Sequence, residues 1–149
     1  LGNLIKTEDI ELAVKASLSG QTVLARLNTG NQEQAMERLA SAVGTVQSSV
    51  AVKLVITTRV LRRLCDKCKE PVLTQPEKLV ELGVPSVKVE GFTMFKAVGC
   101  KHCNRSGFKG QIGVFEIQPD KDGINLRQSA LEKVEQGLTT IEEVMRQIC

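Results

Sequence analysis

Four of the five cysteines form two pairs, Cys65-Asp-Lys-Cys68 and Cys100-Lys-His-Cys103, with 31 residues between the pairs. Two cysteines three apart can place both thiolates on one tight turn. Two such turns brought together make a tetrahedral set of four sulfurs, the preferred geometry of structural zinc. Four thiolates leave no open position for water, so the expected ion is a structural Zn2+ held by Cys65, Cys68, Cys100 and Cys103, not a catalytic one. Lys67, Lys69, Lys101 and His102 surround the pairs, and their positive charge favours ionised thiolates. The competing readings are two disulfides, four free thiols, or His102 in place of one cysteine. Leu1-Gly2-Asn3-Leu4-Ile5 lacks the charged and apolar regions of a secretory signal, which argues against an oxidising compartment. The spacing between the pairs exceeds the usual zinc-ribbon spacing of about 15–20 residues, so the insert must fold, at least in part, as a small excursion. Cys149 is a lone thiol with no assigned role.

Other site chemistry is missing from the pattern. No Gly-x-x-x-x-Gly-Lys-Ser/Thr phosphate loop occurs, and Gly107-Phe108-Lys109-Gly110 reads as a turn. The single histidine lies inside the second cysteine pair, so none is left to serve as a general base elsewhere. Glu8, Asp9 and Glu11 read as acids at a helix N-terminus. No catalytic residue is expected in this chain, and no ATP or Mg2+ is expected to bind to it alone. Four Phe without Trp or Tyr are too few for a stacking surface for nucleic-acid bases, so no nucleic-acid partner is expected. With 42% apolar and 25% charged residues the composition is that of a globular chain, and no run of 18 apolar residues is present. The absent initiator Met suggests a fragment.

The net charge of +3 is unevenly spread. Residues 1–52 carry −1, residues 53–113 carry +7 and residues 114–149 carry −3. The basic block contains both cysteine pairs. Arg59, Arg62, Arg63, Lys67 and Lys69 flank the first, and Lys96, Lys101, Arg105 and Lys109 flank the second. Closing the metal site should merge them into one electropositive docking face.

These residues need a scaffold, and periodicity supplies one. Residues 1–5 read as the end of a strand. Thr7 is an expected N-cap for a helix with Ile10, Ala13, Val14 and Leu18 on one face, stopped by Gly20. Thr22–Leu27 reads as a strand, and Asn31 with Gln34 caps a helix that ends at Gly44. Strand, helix, strand, helix predicts an α/β fold, a parallel sheet with crossover helices. Residues 46–64 fit either one long strand or a short helix before a strand at 56–63. Thr74 and Glu77 predict a capping box for a helix with Leu79, Val80 and Leu82 before Gly83. Residues 87–95 read as extended and Ile112–Ile117 as a strand. Leu126–Val134 forms a helix ending at Gly137. Thr140 with Glu143 caps a last helix through Ile148.

The combination resembles a known family. Arg62-Arg63-Leu64-Cys-Asp-Lys-Cys-Lys-Glu-Pro71 resembles the tetracysteine region of the secretion ATPases of type II secretion and type IV pilus assembly. Val98-Gly-Cys-Lys-His-Cys-Asn-Arg-Ser-Gly-Phe-Lys-Gly-Gln-Ile-Gly-Val-Phe-Glu-Ile117 is similar to the second half of that motif, departing mainly at Gln111, where the family usually has Arg. Gly137–Val144 is similar to the family's C-terminal helix, and Thr7–Leu39 to the segment after its Walker B strand. The resemblance implies a partial RecA-like domain at 1–64, a zinc-binding tetracysteine subdomain at 65–110, and a strand with C-terminal helices at 111–149.

The departures concentrate at the ATPase chemistry. Asn3 stands where the family has a catalytic Glu, Ile5 where it has Arg, Lys6 where it has Asp, and Gln21 and Asn28 where it has His. An amide cannot take a proton from water as a carboxylate can, and Ile5 and Asn28 cannot supply charge to a phosphoryl transition state. The resemblance therefore implies a catalytically degenerate, C-terminal part of such an ATPase, acting in assembly or regulation of a secretion or pilus motor. Its implied partners are ATPase subunits, copies of itself and an inner-membrane platform protein. Its implied location is cytoplasmic, peripheral to the bacterial inner membrane. Two alternatives stay open: a fragment of an active ATPase with its phosphate loop upstream, and a zinc-ribbon module for nucleic acid.

Overall fold

A computed structural model describes residues 2–73, 76–81, 84, 86, 89, 91–118 and 125–148. Thr74, Leu82, Gly83 and Cys149, named in the sequence reading, lie outside them. The chain divides into two compact units, Leu1–Thr57 and Thr58–Cys149.

The first unit contains β1 (Gly2–Asn3), α1 (Thr7–Leu18), β2 (Ala25–Arg26), α2 (Gln32–Val43) and α3 (Thr45–Ala51). β1 and β2 pair in parallel, Gly2 opposite Ala25 and Asn3 opposite Arg26. A parallel pair needs a crossover between its strands, and α1 provides it. The expected strand at Thr22–Leu27 is confined to Ala25–Arg26, the residues paired with β1. Thr7 is not the N-cap. Lys6 takes that position, and the Asp9 carboxylate accepts its backbone N–H at 3.0 Å. Asn31 does cap α2, accepting the Gln34 N–H at 2.9 Å. The Gln34 side chain reaches back to the Gly30 N–H instead of Asn31. Leu4, Ile10 and Val14 are buried, with Leu27, Leu39, Ala42, Val43 and Ala51 packed around them. Residues 46–64 take the second of their two readings, the short helix α3 followed by β3 (Val55–Leu64).

The second unit contains most of β3, with β4 (Lys69–Val72), α4 (Pro76–Glu81), β5 (Met94–Ala97), a 3-10 turn (Lys101–Cys103), β6 (Phe108–Gln118), α5 (Leu126–Glu135) and α6 (Ile141–Ile148). β3 pairs with β6, and β4 pairs antiparallel with β5. β6 starts at Phe108, four residues before its expected start. The reading of Gly107–Gly110 as a turn is corrected: the turn falls on 104–107, where Asn104, Arg105 and Gly107 have φ of 50°, 62° and 76°. Leu61 of β3, Val114 of β6, and Ala130, Leu131, Val134, Ile141 and Val144 of α5 and α6 form the core. Each fully buried Leu, Ile or Val side chain among them contributes about 1.5–3 kcal/mol. Leu79 and Val84, from the insert between the cysteine pairs, are buried in the same core. The excursion therefore shares a hydrophobic core with the C-terminal helices.

Candidate metal centre

The β4–β5 hairpin explains how cysteines 31 residues apart meet. Lys69 lies opposite Ala97 in its register, so Cys68 and Cys100 emerge from the same end of the ladder. β3 delivers Cys65 to this point, where its N–H donates to Gly107 O at 2.9 Å. Each pair then closes its own turn. Cys68 N and Lys69 N donate to Cys65 O at 3.2 and 3.0 Å, and Cys103 N and Arg105 N donate to Cys100 O at 3.2 and 2.8 Å.

The four sulfurs of Cys65, Cys68, Cys100 and Cys103 lie within 4.8 Å of one another. Cys65 and Cys100 are 3.9 Å apart, Cys68 and Cys103 3.8 Å, and Cys100 and Cys103 3.8 Å. A tetrahedral ion with metal–sulfur bonds of about 2.3 Å requires sulfur–sulfur edges of about 3.8 Å. These distances, with no other donor type in the group, fit one thiolate-bound metal ion. They are far longer than a disulfide bond, about 2.0 Å. Cys65 and Cys103 are buried, and Cys68 and Cys100 partly so.

Backbone amides point at the sulfurs. Gly99 N donates to Cys68 Sγ at 3.3 Å, Cys100 N to Cys103 Sγ at 3.2 Å, and Gly107 N to Cys103 Sγ at 3.3 Å. The Cys100 amide draws the Cys103 thiol down to about 6; desolvation opposes this and the Gly107 amide adds to it. Desolvation pushes the Cys68 thiol up to about 12, against the pull of the Gly99 amide and with the neighbouring thiols adding to the rise. Both glycines are forced by space. A Cβ on Gly99 would fall 2.6 Å from Arg105 O, and one on Gly107 2.5 Å from the Ala97 Cβ. Ser106 completes the second turn, its hydroxyl donating to Cys103 O at 2.6 Å and accepting from Phe108 N at 3.2 Å. The cysteine spacing pointed to the ligand set but not to Ser106, whose role depends on how the turn folds.

His102 stays outside the sulfur cluster, exposed, with Nε2 3.0 Å from the Lys109 ammonium. Lys69, expected to sit beside the thiolates, instead donates to Gly137 O at 2.8 Å and lies 5.0 Å from the Phe95 ring centroid. With Leu64 N donating to Leu138 O at 2.8 Å, it fastens the α5–α6 turn to both flanks of the first cysteine pair.

The positions that the resemblance sets at the ATPase chemistry lie in the first unit. Asn3 ends β1, Ile5 and Lys6 link it to α1, and Gln21 and Asn28 flank β2. All five are exposed. The nearby Asp9 is engaged by the Lys6 backbone.

Comparison with known proteins gives the family. The family described as type II/IV secretion system protein matches residues 1–124, and the chain belongs to that family. It is 32% identical to the type IV pilus assembly ATPase PilB of Myxococcus xanthus, covering 97% of this chain and 30% of that protein. It is 33% identical to PilB of Acinetobacter baylyi, covering 98% and 30%. It is 30% identical to the type II secretion system ATPase E of Vibrio cholerae, covering 98% and 33%. The chain thus spans about a third of the length of these curated relatives. Among the described residues no helix is long and apolar enough to cross a membrane.

Proposed function

We propose that this chain is the C-terminal portion of a type II secretion or type IV pilus ATPase-like protein, catalytically degenerate, that serves assembly or regulation of such a motor. In this reading residues 1–64 are the second half of a RecA-like core, 65–110 a zinc-stapled subdomain, and 111–149 a strand plus C-terminal helices that belong with the core. Its partners are ATPase subunits, copies of itself and the platform protein of the inner membrane, at whose cytoplasmic face it works.

The observation that carries the reading is the four-sulfur cluster of Cys65, Cys68, Cys100 and Cys103 in a chain of this family. Zn2+ held there supplies cross-linking, not reaction chemistry. The chain's own residues do the rest: the Gly99, Cys100 and Gly107 amides hold thiolates, and β4–β5 brings the two turns together. Asn3, Ile5, Lys6, Gln21 and Asn28 support degeneracy, because none of them is a carboxylate that could orient water or an arginine that could carry transition-state charge. Elemental analysis for zinc and an assay of ATP turnover on the purified chain test the two halves of the proposal separately. About one zinc per chain without turnover is the expected result.

A second reading is an active ATPase whose phosphate loop lies upstream of residue 1. The names of the relatives, and the third of their length that this chain spans, favour it. Turnover by a longer chain from the same gene, lost on mutating Asn3, would establish it.

A further inference from the structure

The cations around the cysteine turns fall into two sets. Arg62 is paired with Glu143, Arg63 and Lys69 with Asp66 at 2.8 and 3.5 Å, and Lys96 with Glu70 at 3.1 Å. Lys67, Lys101 and Arg105 have exposed side chains with no ion pair or hydrogen bond among the described residues. Among the described residues Lys109 meets only the ring of His102. Lys67 lies between Cys65 and Cys68, and Lys101 between Cys100 and Cys103, so sulfur–sulfur distances of 3.8–3.9 Å bring the two turns side by side. Arg105 is fixed on the second turn by its N–H to Cys100 O at 2.8 Å. The acids nearest in the chain, Asp66 and Glu70, are already taken by the other set. The result is a rim of cations on and beside the two turns with no acid paired to them among the described residues.

We propose that this rim, Lys67, Lys101, Arg105 and Lys109, docks an acidic segment of a protein partner. The inference deepens the assembly role proposed above and rests on it for the class of partner. A nucleic acid fits less well. The adjacent aromatic ring, Phe108, has the Arg62 guanidinium 4.1 Å from its centroid, so that face is closed to a base.

The test uses the 149-residue chain, a fluorescein-labelled Glu-Ala repeat peptide, an oligothymidylate of equal charge and vesicles containing anionic phospholipid. The peptide should bind at low ionic strength and weaken as salt rises. The variant Lys101→Glu/Lys109→Glu should bind it about tenfold less tightly, a loss of about 1.4 kcal/mol. The variant Lys6→Glu/Lys53→Glu, with the same change in charge, should bind as the unmodified chain does. Equal loss in both variants, no peptide binding by metal-loaded chain, or tighter binding of oligothymidylate or vesicles lost on reversal at 101 and 109 would each overturn the proposal. Zinc content, measured on every sample, separates the two readings. Metal-free chain that still binds the peptide supports the rim and counts against the zinc.

Discussion

The buried carboxylate of Glu143 clamps α6 to β3 through Arg62. Its Oε1 accepts the Arg62 backbone N–H at 3.1 Å, and its Oε2 accepts Nε and Nη2 at 2.9 and 2.7 Å. Arg146 closes on both carboxylate oxygens from the next turn of α6, at 2.9 and 2.8 Å. The Arg62 carbonyl accepts the Thr139 hydroxyl at 2.9 Å. Both backbone groups of Arg62 are thus engaged by the segment that starts α6, three residues before Cys65.

Removing that carboxylate should loosen the whole unit. Glu143→Ala leaves two guanidinium groups and a backbone amide without their acceptor, which costs about 3–5 kcal/mol for a fully buried pair. Arg62 and Arg146 are half exposed, at 47% and 55%, so about 2 kcal/mol is expected here. Glu143→Gln keeps an acceptor and should cost about half as much. Urea denaturation of the two variants reads both values.

The same group gives the fold an acid limit. Burial raises the Glu143 pKa, but hydrogen bonds from Arg62 and Arg146 outweigh it and hold the carboxyl at about 2, against 4.5 ordinarily. A depressed carboxyl pKa means that its stabilisation is complete above about pH 4.5 and is lost as pH falls toward 2. Denaturation midpoints should drop across that window, and more shallowly in Glu143→Gln. An equal slope in the variant would place the acid sensitivity elsewhere.

Local signals in this sequence were legible where the partner is close along the chain. Asn31 caps α2 and Gly20 ends α1 as their positions predicted. Cys-x-x-Cys encoded each turn, because the two ligands belong to one stretch of backbone. Thr140 does cap α6, accepting the Glu143 N–H at 3.3 Å, but the Glu143 side chain does not return the bond. It crosses to Arg62, 81 positions away, where two charged groups offer more than one amide. Ion pairs neutralise part of the basic block for the same reason: which cations find acids depends on strand pairing, which periodicity does not encode. β6 began early because Gly107 and Gly110, read as turn residues, take left-handed φ next to and within a strand.

The second cysteine turn should tolerate no side chain at its glycines. Gly99→Ala forces a Cβ against Arg105 O at a site with φ of 107°, and Gly107→Ala drives one into Ala97. Each strains backbone that carries an N–H to a ligand sulfur, by about 1–3 kcal/mol. Both variants should lose metal to a chelator faster than Gly2→Ala, whose Cβ would meet nothing within 4 Å.

Adding ATP and Mg2+ to the purified chain should give phosphate release at the buffer level. Asn3 and Ile5 lack the groups that orient water and carry charge in phosphoryl transfer. Release above buffer that disappears when a residue of this chain is mutated would overturn the degenerate reading.

Inductively coupled plasma analysis of chain purified without chelator, with free thiols counted on the same sample, tests whether the four cysteines hold one structural zinc. About one zinc per chain is expected, with Cys65, Cys68, Cys100 and Cys103 protected from alkylation until the metal is removed, and unfolding of the second unit on removal. A folded, metal-free chain with Cys65, Cys68, Cys100 and Cys103 joined in two disulfides would contradict it.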